Sequence, residues 1–181
     1  MCRQFDSGPR HRVSFNVRRA LGCNVSLRAA AAVESATMAS AMSRFHHETK
    51  HALAMAQAAA VGLNHGGLGT EHLLLGILAT ECAARSALQS MSVDAERARV
   101  AVQAFVPPGD EPVLPREIAL TPAALGAIDR ANTLRQQEKS ADLTPTLLLL
   151  ALLADEESVA TKVLVRLGAT PDRVRKVLIA H

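Results

Sequence analysis

The chain has 181 residues, a formal charge of +3 and only 2 % aromatic residues, with no Trp and no Tyr. Its 49 % hydrophobic content is mostly Ala, Leu and Val, which favours helix and argues against a sheet protein. No apolar run reaches the roughly 18 to 20 residues of a membrane span, so no membrane partner is expected.

The first 40 residues hold the basic excess. Six arginines (Arg3, Arg10, Arg12, Arg18, Arg19, Arg28) stand there against Asp6 and Glu34, a net +4; the fourteen basic and fifteen acidic residues beyond Ser40 give −1. The bulk of the chain is therefore close to neutral, and no nucleic-acid partner is expected. Residues 1–42 read as a basic extension without a clean apolar core for secretion. Two origins fit them. One is an extension ahead of a start at Met38 or Met42, which places the protein in the cytoplasm. The other is an organelle transit peptide, which places it in the plastid stroma. Cys2, Cys23 and Cys82 have no metal-type spacing, and their odd number fits a reducing compartment.

From Phe45 onward the chain repeats itself. A shift of 75 lays Phe45–Leu78 over Leu120–Leu153 with 7 identities in 34 positions, among them Ala52/Ala127, Ala56/Ala131, Leu68/Leu143 and Leu78/Leu153. After one extra residue the match resumes at a shift of 76, pairing Leu88/Leu164, Met91/Leu167, Arg97/Arg173 and Arg99/Arg175. The expected boundaries are a domain over 43–181, with repeat 1 over about 45–105, a linker over 106–119, and repeat 2 over about 120–181.

Each repeat reads as four helices. In the first, an Ala-rich helix follows Phe45, Asn64-His65-Gly66-Gly67 makes a turn, Thr70 caps the second helix, and Ser92 or Asp94 opens the fourth. The Pro-rich stretch from Val106 to Pro115 cannot be helical. In the second repeat Thr121-Pro122 opens a helix to about Glu138 and Thr144-Pro145 starts the apolar helix 146–154. The third helix follows Asp155-Glu156-Glu157 and ends at Gly168, a left-handed cap; Thr170-Pro171 opens the fourth. The expected fold is all-α: two pseudo-symmetric four-helix repeats forming a compact helical bundle.

The segment Gly69-Thr70-Glu71-His72-Leu73-Leu74-Leu75-Gly76-Ile77-Leu78, preceded by Leu63-Asn64-His65, resembles the signature of the Clp N-terminal (Clp R) repeat. Leu164-Val165-Arg166-Leu167-Gly168-Ala169 with Arg173-Val174-Arg175 looks like the end of its second copy. The resemblance spans residues 43–181 and implies a ClpC/ClpA-type N-domain, here without AAA+ modules. In that family the domain fronts ring-shaped unfoldases and captures adaptors and substrates, including, in the ClpC type, proteins marked by phosphorylated arginine. No Gly-x-x-x-x-Gly-Lys-Ser/Thr loop is present in the sequence; Gly66-Gly67-Leu68-Gly69-Thr70 lacks the lysine that reaches phosphates. A protein without catalysis or cofactor is expected.

The resemblance implies a peptide- or phosphoarginine-binding role for Glu71 and Thr70. Carboxylate and guanidinium form paired, charge-assisted hydrogen bonds. The competing reading makes Glu71 a first-turn acid favoured by the helix dipole. The second repeat offers Thr146 and Leu147 where the motif has Glu and His, so at most one such pocket is expected. His47 and His51, four apart on a helix, could chelate zinc; no carboxylate completes a third ligand at good spacing, and no metal is expected. His65 reads as a turn residue and His72 as a packing residue. Ser86, Ser90 and Ser158 fall in helices, away from any Gly-x-Ser-x-Gly elbow, and Cys82 reads as a small helix residue.

The function these readings favour is a monomeric protein-binding accessory or adaptor-like module of a Clp ATP-dependent protease/unfoldase system. It would bind adaptors or substrate peptides. The alternatives are a structural subunit attached to the Clp protease core, as in plastids, and a decoy that sequesters ligands of Clp N-domains. Leu120, where the second repeat commonly begins with an aromatic residue, weakens the last.

Overall fold

A computed structural model describes residues 44–180; the basic extension over 1–42 lies outside the described residues. Eight α-helices follow in order among them: α1 (His47–Gly62), α2 (Thr70–Leu78), α3 (Ala83–Ser90), α4 (Ala95–Phe105), α5 (Pro122–Gln137), α6 (Pro145–Leu152), α7 (Val159–Arg166) and α8 (Pro171–Ala180). Two-residue strands, β1 (Gly67–Leu68) and β2 (Ala119–Leu120), precede α2 and α5. The all-α architecture with four helices in each half is the one the sequence implies.

Most helix starts follow from local chemistry. The hydroxyls of Thr121, Thr144 and Ser158 accept from the N–H groups of Ala124, Leu147 and Thr161, and the Asp94 carboxylate accepts from Arg97 at 2.8 Å. Each cap satisfies a donor that the first helical turn leaves without an internal partner. Pro122, Pro145 and Pro171 stand at first helical positions, where a missing N–H costs nothing. Some details differ from expectation; Cys82, read as a helix residue, is the extended N-cap of α3. Thr70 is the first residue of α2, and Gly69 is its N-cap. The helix expected over 146–154 is shifted, starting at Pro145 and ending at Leu152. Ser158 lies outside the helix it caps. The linker contains one 3₁₀ turn, Pro115–Glu117, where Pro occupies the position that needs no donor and the Glu117 carboxylate accepts from Leu114 N–H.

The core is built around α2 and α6. Every residue of α2 is buried, and α6 buries Leu147, Leu148, Leu149, Ala151 and Leu152. A helix surrounded by apolar contacts on all sides belongs at the centre of a bundle. Helix α1 reaches α2 through the buried stripe Ala52, Ala56 and Ala60. Opposite it stands Gly76, where a Cβ would overlap the Ala52 carbonyl oxygen and press on Ala56. The backbones can come this close only because the contact carries no larger side chains.

The two halves are stitched by an exchange of strand partners. Leu68 pairs in parallel with Leu120, and Phe45 with Leu143. In the 75-residue register Phe45 corresponds to Leu120 and Leu68 to Leu143, so one pairing maps onto the other. The hydrogen bonds map likewise: Thr121 N–H donates to Leu68 C=O at 3.0 Å, and His46 N–H donates to Leu143 C=O at 3.0 Å. Left-handed residues recur at matching positions too. Asn64 (φ 54°) corresponds to Lys139 (φ 53°), and Ser92 (φ 62°) to Gly168 (φ 84°).

Candidate functional site

The first turn of α2 gathers Thr70, Glu71 and His72 against the Asn64–Gly67 turn and the start of the linker. Gly69 has no side chain with which to cap α2. His72, at the third helical position, takes over: its Nδ1 accepts from the Gly69 N–H at 3.0 Å, as Glu or Gln does in a capping box. That bond fixes the tautomer, because a backbone N–H can only donate. His72 Nε2 therefore carries the proton and donates to His65 Nδ1 at 2.8 Å, and His65 Nε2 donates to Pro107 C=O at 3.0 Å. All four ring nitrogens are engaged. The chain of hydrogen bonds ties the N-terminus of α2 to the inter-repeat linker. His72 is fully buried; that desolvation, with the neighbouring His65, pushes its pKa down to about 4.

Glu71 folds back over its own helix N-terminus. Its carboxylate lies where a Cβ on Gly69 would be, and 11 % of the side chain is accessible. One oxygen is 3.2 Å from His72 Nδ1. With that nitrogen already accepting from Gly69 and the ring neutral, the contact is not an ion pair at neutral pH. The other oxygen is 3.5 Å from the Thr70 hydroxyl. Thr70 Oγ1 in turn accepts from Ala160 N–H at 3.4 Å, linking α2 to the first turn of α7 in the other repeat. Thr70 and Glu71 are therefore adjacent, buried and part of one polar cluster. At the corresponding place in α6, Thr146 is half-buried beside the buried Leu147, and no acid is present.

The other candidates take different places. His51 Nδ1 hydrogen-bonds with the Thr80 hydroxyl at 3.1 Å, while the His47 ring lies against His46 with centroids 4.2 Å apart. The structure supplies the carboxylates that sequence spacing did not: one ligand atom each from His46, His47 and Glu48, and from His65, Glu71 and His72, lie within 4.8 Å of one another. In the second trio the ring nitrogens serve the hydrogen-bond chain just described. Burial raises the Cys82 thiol pKa, which disfavours the thiolate a nucleophile needs. Ser86 Oγ and Ser90 Oγ bond backbone carbonyls of their own helix or its cap.

The sequence profile of the Clp repeat (R) N-terminal domain matches residues 44–167 and 119–181. The chain belongs to the Clp N-terminal repeat domain family. The chaperone protein ClpB of Oceanobacillus iheyensis is 30 % identical to it over 134 residues, 74 % of this chain and 16 % of that protein. ClpC/MecB of Bacillus subtilis, a negative regulator of genetic competence, is 31 % identical over the same length and shares. This Clp N-domain chain thus spans about 16 % of the length of these relatives. Among solved structures it is similar to the N-terminal domain of ClpD from Arabidopsis thaliana, with a TM-score of 0.66 and 18 % identity over 77 % of this chain and 97 % of that one. A ClpV N-domain in complex with VipB peptide matches with a TM-score of 0.61 and 20 % identity, over 77 % and 90 % of the two chains. Both matches speak for the fold. Among the described residues, no helix is long and apolar enough to cross a membrane.

Proposed function

We propose that this Clp N-domain protein is a binding accessory of a Clp protease/unfoldase system: it docks adaptors or substrate peptides and performs no chemistry itself. The observation that carries the reading is the Thr70–Glu71–His72 turn within the family's repeat. It holds a carboxylate folded over the start of α2 beside the Thr70 hydroxyl, with 11 % of the Glu71 side chain accessible. Two titratable groups, His72 in the turn and Cys82 beyond the other end of α2, support binding rather than turnover. His72 is held neutral and occupied on both nitrogens, and the Cys82 thiol is disfavoured as a thiolate. Glu71, with Thr70 beside it, is the proposed contact for an arginine or phosphoarginine side chain.

The test is affinity capture from the native host with the full 181-residue chain as bait. Clp unfoldase or protease subunits, or their adaptors, should be enriched over a bait carrying Glu71→Gln. The purified chain should neither hydrolyse ATP nor degrade unfolded casein. Capture without any Clp component, or turnover that tracks the protein through purification, would overturn the reading.

A further inference from the structure

Helix α1 opens on three consecutive residues able to ligate a metal: His46 is its N-cap, and His47 and Glu48 are its first two residues. One ligand atom from each lies within 4.8 Å of the other two. His46 Nδ1 is shielded from solvent and has no hydrogen-bond partner among the described residues. It stands 3.6 Å from Glu48 Oε2, too far for a hydrogen bond. Two ligands held at about 2.0–2.1 Å by one tetrahedral zinc stand roughly 3.3–3.4 Å apart, so this pair is already near the spacing a shared ion sets. His47 is exposed and Glu48 half-buried, so side-chain rotation can bring in the third ligand and water can complete the coordination.

The internal repeat shows that folding does not call for these residues. At the 75-residue shift His46, His47 and Glu48 correspond to Thr121, Pro122 and Ala123, at the start of α5. There the Thr121 hydroxyl caps the helix and Pro122 fills the first position, whereas His46 supplies no side-chain cap. In α1 the Thr49 N–H falls back on the His46 carbonyl at 3.0 Å. The first repeat thus forgoes a good local helix start and carries two imidazoles and a carboxylate in its place. The helix dipole accounts for an acid at Glu48 but for neither histidine. Two imidazole nitrogens and one carboxylate oxygen suit zinc and its transition-metal neighbours, while magnesium and calcium take oxygen ligands. We propose that His46, His47 and Glu48 form a surface site for a zinc-class divalent ion at the start of α1. This inference is independent of the Clp partner, and it departs from the metal-free protein expected from sequence. His47 works with its two chain neighbours, while His51 is held by Thr80.

Calorimetric titration of the full 181-residue chain with zinc chloride tests it. The control is the triple variant His46→Thr, His47→Pro, Glu48→Ala, which transplants the helix start of the second repeat. The backbone allows this, because His46 (φ −54°, ψ 151°) already has nearly the conformation of Thr121 (φ −71°, ψ 156°). The variant should keep wild-type helical content and a thermal midpoint no lower than wild type. The wild type should take up one more zinc per chain than the variant, with a dissociation constant on the order of 1–100 μM for three protein ligands. Magnesium should bind at neither. Glu48→Gln alone should raise the constant about tenfold or more. In NMR spectra zinc should shift the ring signals of His46 and His47 and leave those of His65 and His72 in place. Equal zinc uptake by the wild type and the triple variant overturns the proposal, as do zinc shifts confined to His65 and His72.

Discussion

His72 donates its Nε2 proton to His65 Nδ1 across 2.8 Å, and the two rings meet edge to face at 74°. The pair works only while His72 is neutral, because a second proton on Nδ1 would oppose the Gly69 N–H it now accepts from. Burial holds the folded pKa at about 4, against an ordinary 6.5. Above pH 6.5 both folded and unfolded chains carry a neutral ring, and the stability is fully present. As pH falls from 6.5 towards 4 the unfolded chain takes up the proton and the folded one does not, so stability is lost in that window. The difference amounts to at most about 3 kcal/mol. His72→Gln keeps an acceptor for the Gly69 N–H but cannot titrate. Urea unfolding at pH 7.5, 6, 5 and 4 should show the wild type losing stability relative to this variant, and parallel profiles would remove His72 as the cause.

A different kind of constraint acts at Gly76. The α1–α2 contact depends on Ala52 and Ala56 meeting a residue with no side chain. The matching position in the second repeat is Ala151. The first repeat is thus the more tightly packed of the two at this crossing. Gly76→Ala should cost about 1–3 kcal/mol, since the atoms it meets are α1 backbone and an alanine methyl rather than a movable side-chain end. Ala151→Gly should cost about 1 kcal/mol or less through helix propensity, with a further loss for the methyl removed from a buried site. Denaturant midpoints of the two variants check the ordering; a neutral Gly76→Ala would mean that α1 shifts freely on α2.

Much of this fold was legible because its signals are local. Thr-Pro at 121–122, 144–145 and 170–171 marked three helix starts, and the Ala52/Ala127 and Ala56/Ala131 identities marked the buried stripes. What stayed hidden depends on partners distant in sequence. The strand exchange joining Phe45 to Leu143 involves too few residues to leave an alternating pattern. Gly69 gave no sign of being the N-cap, because the cap is supplied by His72 from three residues on. Arg135 is buried, with its guanidinium donating to the carbonyls of Ser140 and Ala141, partners that helix periodicity does not announce. At the candidate site, the sequence located Glu71 in the first turn but not its fold-back over Gly69.

The polar cluster at α2 has no counterpart in α6, and that asymmetry makes its role testable. Glu71 and Thr146 occupy the same place in the two repeats, but only the first offers a charge. A carboxylate–guanidinium hydrogen bond is typically worth about 1.5 to 3 kcal/mol. Glu71→Gln preserves shape and removes the charge, so it should weaken binding of a phosphoarginine peptide about tenfold or more. Thr146→Ala should change it little, and Thr146→Glu supplies the missing acid for a second site. The dipole reading makes its own forecast: if Glu71 serves only its helix end, Glu71→Gln should lower stability by about 0.3–1 kcal/mol and leave affinity untouched. Calorimetric titration of the wild type and the three variants, with their unfolding midpoints, separates the two roles. Equal affinities for wild type and Glu71→Gln would restrict Glu71 to its own helix terminus and move partner recognition to another surface.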